Sequence, residues 1–449
     1  MKAILSLSLH LLCGLSLLSA EEAPVACEWV FSGGGGEHDK TRGVTFDRQG
    51  NVFLASESVG DAAFGNLTHR SAGGMDMCLV KLDPAGRPLW LGAFGGSLTD
   101  RAYGVATDAA GNAYVTGHYE STDATVNGAP VPNAGSYDIF TAKFSPDGLL
   151  LWVRTAGGPG YDYGHGICVD GQGDVIITGT AASGTTFGDQ LLHGVFCAKY
   201  GADGSLRWVT ATTGVSGSGH GIAVDAADHL YIGGNVSGRG AWGPVAIDSP
   251  SQAALAVKLT PDGTAVWASV IPGTPGALYH EITCDAAGRV WGVGMFKGRV
   301  TVAGETFESG GEKDNDGLII HLDATGRPQW ARHLHGAGTD YCLGIATDDH
   351  GTAYVCGDFN ADTVLAGRPL TTRGSGDIFL AAFDPAGSLL WVEQMGGKLN
   401  DSAYPAAFRR PGELVIAGAF AAPAAFGSQT VTTSGKSDLY AAKWRLRSP

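Results

Sequence analysis

Charged residues are scarce in this sequence. Asp, Glu, Lys and Arg make up 16% of its 449 residues, against about 25% in an average globular protein. Glycine contributes 70 residues, about twice its usual share. This composition excludes a coiled coil, a helical bundle and an acidic disordered tail. With 44% hydrophobic residues, the chain is instead typical of many short strands joined by tight turns.

Positive charge is the scarcer of the two signs. The chain has 29 Lys and Arg against 44 Asp and Glu, and its formal net charge is −15. A phosphate backbone would be repelled, so nucleic acid is not expected as a partner. The chain also lacks a Gly-x-Ser-x-Gly elbow, a phosphate-binding loop and a His-Glu-x-x-His helix motif. No short motif therefore identifies a reaction.

Long apolar runs are absent after the N-terminus. There, Lys2 precedes an apolar run from Ala3 to Leu18, which ends in small residues at Ala20. This arrangement is typical of a secretory signal peptide. We therefore expect a signal peptide at residues 1–20 and a short linker at 21–26. The mature protein would be exported to the periplasm, the cell surface or the medium, with no transmembrane segment.

One pattern recurs along the rest of the chain. Its clearest copy reads GVATDAAGNAYVTG at residues 104–117 and DIFTAKFSPDGLLLW at residues 138–152. Each copy ends in a tryptophan, and these tryptophans are 56 to 63 residues apart. They are Trp29, Trp90, Trp152, Trp208, Trp267, Trp330 and Trp391. A period of this length, made of strands, indicates a β-propeller that occupies residues 27–447.

Each repeat is predicted to contain four antiparallel strands. Asp-x-x-Gly turns separate the first strand from the second, and the fourth strand carries the tryptophan. The last repeat ends without a tryptophan strand, whereas the Trp29 strand has no partner before it. We therefore predict an all-β, seven-bladed propeller that closes by pairing the Trp29 strand with the C-terminal strands.

Two residue types recur with the repeat and have structural explanations. The tryptophans are expected to pack between blades. A lysine recurs at one position of several repeats and is expected on solvent-facing strand edges. These lysines are Lys81, Lys143, Lys199, Lys258 and Lys443.

The two quoted segments, together with the doublets Gly95-Gly96, Gly157-Gly158 and Gly396-Gly397, resemble the SBBP family. This is a seven-bladed β-propeller repeat family of secreted bacterial proteins. The resemblance covers all the repeats, although Asp228 replaces a turn glycine and the last repeat reads Arg409-Arg410-Pro411-Gly412. It implies a propeller fold and an exported location. It implies no reaction, because the family has no common activity.

Three functions fit such an architecture. The protein is interpreted as a binding or scaffold propeller, monomeric, with an extracytoplasmic protein or glycan as its ligand. The alternative is an enzyme with its site at the mouth of the central channel. A structural spacer is the third. Converging axial groups would indicate the enzyme, and an exposed aromatic or apolar patch would separate a binder from a spacer.

The residue just before each first strand is predicted to reach the channel mouth. These residues are Arg42, Tyr103, His165, His220, His280, Leu343 and Tyr404. Long segments of each repeat, such as residues 117–138, are expected on the same face, where binding groups favour long loops. His165, His220 and His280 would provide imidazoles for a shared metal or an anionic ligand, with Arg42 and the tyrosines orienting it. The alternative is that each side chain turns sideways and caps a loop between blades.

Aspartates recur at two positions, and both are missing from the same two hairpins. This co-variation suggests that they are in contact. The predicted pairs are Asp39 with Asp438, Asp76 with Asp100, Asp138 with Asp162, Asp316 with Asp340, and Asp377 with Asp401. Each Asp is interpreted as a structural acceptor of backbone N–H bonds. No cofactor is required, but two adjacent carboxylates are also compatible with a shared divalent cation.

A second arrangement of histidines lies in the sixth tryptophan strand. His333 and His335 alternate along the strand and therefore share one face. Two imidazoles on one face could hold a metal, but the neighbouring sequence offers no third ligand.

Overall fold

The structure is a computed structural model that describes residues 24–311 and 314–446. The predicted signal peptide lies outside the described residues, as do residues 21–23 of the linker. All regular structure within these ranges is β-strand, which confirms the all-β prediction. The same ranges contain no helix that is long and apolar enough to span a bilayer.

The strands of the first half, in chain order, are β1 (Val25–Gly35), β2 (Lys40–Phe46), β3 (Val52–Val59), β4 (Ala62–Phe64), β5 (Leu67–His69), β6 (Met75–Leu82), β7 (Pro88–Gly95), β8 (Asp100–Thr107), β9 (Ala113–Tyr119), β10 (Thr125–Val126), β11 (Ala129–Pro130), β12 (Asp138–Phe144), β13 (Leu150–Ala156), β14 (Tyr163–Val169), β15 (Val175–Phe187), β16 (Gln190–Tyr200), β17 (Leu206–Ala211) and β18 (Thr213–Val224).

The strands of the second half are β19 (Leu230–Trp242), β20 (Val245–Leu259), β21 (Ala265–Cys284), β22 (Val290–Val302), β23 (Glu305–Glu308), β24 (Asn315–Leu322), β25 (Pro328–Gly336), β26 (Asp340–Thr347), β27 (Ala353–Phe359), β28 (Thr363–Leu365), β29 (Arg368–Leu370), β30 (Asp377–Phe383), β31 (Leu389–Met395), β32 (Ser402–Arg409), β33 (Glu413–Phe420), β34 (Ala424–Phe426), β35 (Gln429–Val431) and β36 (Asp438–Leu446).

The strands pair antiparallel in groups of four. Four of these groups are β2-β3-β6-β7, β8-β9-β12-β13, β14-β15-β16-β17 and β26-β27-β30-β31. The repeats around Trp267 are not separate sheets, because the long β21 pairs with β20 through its first part and with β22 through its second. We call the first strand of each group its inner strand and the strand with the tryptophan its outer strand.

The N-terminal strand completes the last group. β1 pairs with β36 from Val25 opposite Leu446 to Gly33 opposite Leu439, and β36 also pairs with β33. The order of this group is therefore β32-β33-β36-β1. The pairing joins the two ends of the described chain.

The core lies between neighbouring groups. All seven residues of β9 and all seven of β12 are buried, because both faces of these middle strands are covered. Phe94 of β7 and Phe140 of β12, which belong to neighbouring groups, stack at 4.2 Å between ring centroids. Burying one such side chain stabilises the fold by about 1.5–3 kcal/mol. The sequences of the middle strands are therefore nearly continuous apolar runs.

The tryptophans join each group to the next. The indole N–H of Trp90 donates to the carbonyl of Pro146 at 2.9 Å, and its ring packs on Gly148 of the same turn. A Cβ at Gly148 would lie 2.8 Å from that ring, and its φ is +84°. Glycine is therefore required there both for space and for backbone conformation.

The lysine prediction is wrong. Four of the five repeated lysines are buried, for example Lys81 at 5% and Lys443 at 2% exposed, and Lys258 is half-buried. Lys81 donates to the carbonyl of Pro146 at 3.0 Å and lies 3.8 Å from Asp47. The Asp of the first turn thus compensates the buried ammonium charge, and lysine and tryptophan bind the same carbonyl of the next group.

The long segments are not free loops. In three repeats they form a short hairpin that pairs with the outer strand of the preceding group: β4 with β1, β10 with β7, and β28 with β25. Their backbone groups are therefore used to link neighbouring groups. The tips of these hairpins remain exposed, as at residues 127–130, so a ligand contact through these segments stays a prediction.

Candidate functional site

The predicted mouth residues lie within the inner strands, not before them. Pairing of β2 with β3 is regular up to Thr41 and resumes at Gly43, so Arg42 is the extra residue of a β-bulge. Every other inner strand has a bulge at the corresponding place. A bulge re-aims the side chain of its extra residue. The positions in these bulges are Arg42, Tyr103, His165, His220, His280, Leu343 and Tyr404.

The inner strands enclose a cavity of about 340 Å³. Its lining includes Arg42, Tyr103, His165, His220 and His280. Tyr404 lies beside it, with its ring 5.4 Å from the Arg42 guanidinium. Leu343 is 5% exposed and does not line the cavity. The structure therefore brings together the charged and aromatic residues of the predicted mouth.

The three histidines form a stack. The rings of His165 and His220 are 5.0 Å apart with planes at 8°, and those of His220 and His280 are 6.2 Å apart at 17°. Parallel stacking does not aim three nitrogens at one point. In the described part of the chain, the His-containing group whose ligand atoms converge within 4.8 Å is a different one, Asp316 with His333 and His335.

Each outer histidine of the stack bonds to the neighbouring bulge. Nδ1 of His165 lies 3.0 Å from the carbonyl of Gly219, and Nδ1 of His280 lies 2.9 Å from the carbonyl of Leu343. Burial lowers the pKa of both imidazoles to about 4. The rings are therefore neutral at pH 7, with Nδ1 as the donor. They cap the neighbouring backbone and line the cavity at the same time.

Cations gather beside the stack. Lys40, Arg42 and Arg101 all approach the carboxylate of Glu57, at 2.9, 3.0 and 3.8 Å. The Glu57 side chain has no exposed surface, and the Arg42 guanidinium also lies 4.6 Å from the ring of Tyr103. Burial lowers the pKa of Lys40 to about 7, so Arg42 and Arg101 are the fully charged groups at pH 7. Two cations against one carboxylate still leave a local positive charge on a protein whose net charge is negative.

Glu281 is a cavity residue that the sequence pattern did not predict. It lines the cavity next to His280, and burial raises its pKa to about 7. The signal was available in the sequence, because Glu281 stands where most repeats have the first glycine of the GVATD-like motif. A departure from glycine at that place puts a side chain into the channel.

A row of aromatic rings leads from the cavity to the surface. His165 lies 4.7 Å from Tyr103 and stacks on Tyr163 at 5.9 Å. Tyr163 contacts Tyr137 at 5.7 Å, and Tyr137 contacts Tyr161 at 5.4 Å. Tyr161 is 57% exposed. We call Tyr137, Tyr161 and Tyr163 the tyrosine patch.

Four of the five predicted aspartate pairs lie around glycine doublets. A Cβ at Gly34 would lie 2.6 Å from Oδ2 of Asp39 and 3.0 Å from Oδ1 of Asp438. At Gly396 the corresponding distances, to Asp377 and Asp401, are 2.5 and 3.0 Å. In two further pairs, burial raises the pKa of one carboxyl group and the charge of its partner raises it further. The charge of Asp162 acts on Asp138 in this way, and the charge of Asp316 acts on Asp340. Asp76 lies against Gly95 in the same way, and Asp100 accepts from Gly96.

These carboxylates accept backbone N–H groups, but incompletely. Oδ2 of Asp100 accepts from Gly96 at 2.8 Å, and Oδ1 accepts from Glu120 and Ser121 at 3.1 and 3.2 Å. Burial raises the pKa of Asp138 and of Asp401 to about 6. One buried oxygen has no hydrogen-bond partner in each of Asp76, Asp138, Asp162, Asp340, Asp377 and Asp438.

Comparisons with known proteins find a similarity to a WD repeat protein. A comparison with protein-family profiles gives no match. An uncharacterised WD repeat-containing protein of Acanthamoeba polyphaga mimivirus is 24% identical over 410 residues, covering 80% of this chain. The chain spans 27% of the length of that viral protein.

Among solved structures, the Pan2 WD40 domain of Neurospora crassa is similar, with a TM-score of 0.40 and 9% identity over 78% of this chain and 90% of that one. A gluconolactonase of Xanthomonas campestris has a TM-score of 0.36 and 12% identity over 74% of this chain and 85% of that one. We draw no functional conclusion from scores this low.

These findings contradict the resemblance to the SBBP family. No family profile matches, and the relative found is a viral WD repeat protein instead of a secreted bacterial one. The motifs that carried the resemblance are turns, glycine doublets and tryptophan strands. They reflect the packing of four-stranded repeats, which unrelated propellers share.

Proposed function

We propose that this protein is a closed, seven-bladed propeller that binds an acidic segment of a partner protein at its central mouth. Closure is supported by the inner strands, each of which contacts the next in the order β2, β8, β14, β18, β21, β26 and β32. β32 also contacts β2. Pairing of β1 with β36 supports it further, because the seam is then hydrogen-bonded.

The observation that carries the binding function is the tyrosine patch and its continuity with the mouth. An unbroken series of ring contacts joins the exposed Tyr161 to His165, Tyr103 and Arg42. Tyrosine and arginine are the residue types enriched at protein interfaces. A structural spacer would not require an exposed aromatic patch beside a cationic cavity.

The charge at the mouth indicates the chemistry of the ligand. Arg42 and Arg101 share one buried carboxylate, so an incoming Asp or Glu side chain would find uncompensated positive charge. The guanidinium of Arg42 is held between two tyrosine rings, which limits its motion before binding. We therefore favour an acidic protein segment over a neutral glycan.

Crosslinking from the tyrosine patch tests the location of the interface. A photoreactive phenylalanine analogue would replace Tyr161, and in a control protein it would replace Leu390, which is 54% exposed and lies in the outer strand β31 of another group. We expect a discrete crosslinked partner from position 161 in cells that make the protein, and its loss when Arg42→Gln is added. Equal crosslinking from both positions would refute the interface.

Peptide binding tests the charge preference separately. Acidic peptides would be compared with the same peptides in which Asp and Glu are replaced by Asn and Gln. We expect the acidic peptides to bind more tightly, and we expect salt to weaken their binding. Arg42→Gln should abolish the preference for the acidic peptides. Equal affinity for both sets would exclude an acidic ligand while leaving the patch itself open to a neutral one.

Catalysis is the second candidate, and Glu281 is the observation that favours it. A carboxyl group with a pKa of about 7 beside neutral imidazoles has the properties of a general acid or base. The test is a hydrolase and lyase substrate screen with Glu281→Gln as the control. An activity that Glu281→Gln does not change would exclude this residue as a catalytic group.

Export to an extracytoplasmic location is likewise proposed, on the sequence of residues 1–20 alone. N-terminal sequencing of the protein recovered from its native cells tests it, and an intact Met1 would refute it.

A further inference from the structure

One outer strand departs from the repeat at two positions. In the outer strands that have a glycine doublet, the fifth residue after the tryptophan is glycine. These glycines are Gly34, Gly95, Gly157 and Gly396. After Trp330 this position is His335. Three residues after the tryptophan, where Thr155 or Gln394 stands elsewhere, this strand has His333.

The replaced glycine is the one that lies against the aspartates. A Cβ at Gly95 would lie 2.0 Å from Oδ1 of Asp76, and one at Gly157 would lie 2.0 Å from Oδ1 of Asp138. A side chain is therefore excluded at this position in those repeats. In the Trp330 repeat the same position carries the imidazole of His335, which contacts Asp316.

Both histidines converge on one carboxylate oxygen. Nε2 of His333 lies 2.7 Å from Oδ2 of Asp316, and Nδ1 of His335 lies 3.2 Å from the same oxygen. The ligand atoms of all three residues lie within 4.8 Å of one another. The sequence offered two of these ligands, and the pairing of β24 with β25 supplies the third.

The surroundings fit a metal centre that solvent can reach. Asp316 has no exposed side-chain surface, whereas the His335 side chain is 54% exposed. The rings of Phe296 and Phe307 lie 5.2 and 5.6 Å from His333 and hold its orientation. Asp340, the partner of Asp316, is fully buried, and its Oδ1 has no hydrogen-bond partner.

We propose that Asp316, His333 and His335 bind one divalent transition-metal ion of the zinc type, with a fourth position open to water. Two imidazoles and a carboxylate are a common ligand set for such ions. The cation would also compensate the adjacent buried carboxylate of Asp340, whose Oδ1 has no hydrogen-bond partner. The site is separate from the central mouth, and it does not depend on the proposed binding function.

Cobalt titration of the full chain tests the proposal. After dialysis against a chelator, Co²⁺ would be added and its visible absorption recorded, followed by displacement with Zn²⁺. We expect one equivalent of tightly bound Co²⁺ with the strong absorption of a low-coordinate site. Asp316→Asn should weaken binding at least about tenfold, since loss of even an outer-shell partner costs 10–100-fold.

The repeat itself provides the matched control. The double variant His333→Thr with His335→Gly restores the residue types of the Trp152 strand, so the fold should be retained, and the melting curve of the metal-free variant checks this. We expect this variant to lose the bound equivalent. His69→Gln, which removes the single histidine at Asp76, and the triple change of His165, His220 and His280 to Gln should both retain it.

Three results would overturn the proposal. The first is a wild-type protein that takes up no Co²⁺ or Zn²⁺. The second is equal uptake by the wild type and the double variant. The third is loss of the bound equivalent in the triple variant, which would place the metal at the central mouth instead.

Discussion

His165 and His220 stack with their ring planes 8° apart, although they belong to adjacent groups of strands. Each ring reaches the stack from a bulge of its own inner strand. The stack is therefore a contact between neighbouring repeats as well as part of the cavity wall. Its protonation should affect stability.

Acid should destabilise the protein through this stack. Burial lowers the pKa of His165 and His280 to about 4, whereas an unfolded histidine titrates near 6.5. Between these values the unfolded chain binds more protons, so stability falls as the pH decreases from about 6.5 to about 4. The histidine proton signals in an NMR titration should show both low pKa values. Replacing His165, His220 and His280 together by Gln should flatten the dependence of the melting temperature on pH in this range.

The aspartate pairs should act in the opposite direction. Burial raises the pKa of Asp138 to about 6, so the folded protein binds the proton more tightly than the unfolded chain. This contribution is complete below about pH 4 and is lost as the pH rises through about 6. We expect Asp138→Asn to stabilise the protein at pH 8 by about 1–2 kcal/mol and not at pH 4. Denaturant unfolding at the two pH values measures this, with the exposed Asp147→Asn as control. An equal effect of both substitutions would contradict the prediction.

The glycine doublet offers a test of packing. A Cβ at Gly95 would lie 2.0 Å from the carboxylate of Asp76, so Gly95→Ala must displace a buried side chain. We expect a loss of about 1–3 kcal/mol, the usual cost of overpacking. A Cβ at Gly36 would have no heavy atom within 4 Å, and Gly36→Ala should leave the unfolding free energy within about 0.5 kcal/mol. Equal melting temperatures for the two variants would show that the carboxylate can move away without cost.

Removal of the N-terminal strand should destabilise the whole molecule. Without residues 21–35, β36 keeps β33 but loses its other neighbour, and the hairpin β4-β5 loses the strand it pairs with. Phe31, which is 8% exposed, leaves the core with this strand, and loss of one such ring costs about 3–5 kcal/mol. Thermal unfolding followed by circular dichroism should show a sharply lower transition. An unchanged melting curve would mean that the pairing of the two ends does not contribute to stability.

The sequence by itself determined the secondary structure and its repetition. Asp-x-x-Gly turns and alternating or continuous apolar strands are local features, and they recur often enough to be recognised without a partner structure. The tryptophan period then indicated which strands belong together. The matching absence of aspartates in two hairpins pointed to contacts between carboxylates that the structure places around one glycine.

Tertiary structure decided everything that depends on which groups meet across repeats. The lysines looked solvent-facing because an amphipathic side chain at a strand edge has no local partner, yet carbonyls and Asp residues of other turns bind them inside the protein. The long segments looked like free loops because hairpin pairing with another repeat leaves no local signal. Asp316 reaches His333 and His335 only through the pairing of β24 with β25, and the bulges that turn Arg42 and the histidines inward arise from strand register. Distances of this kind are set by packing between segments far apart in the chain, so local pattern alone cannot supply them.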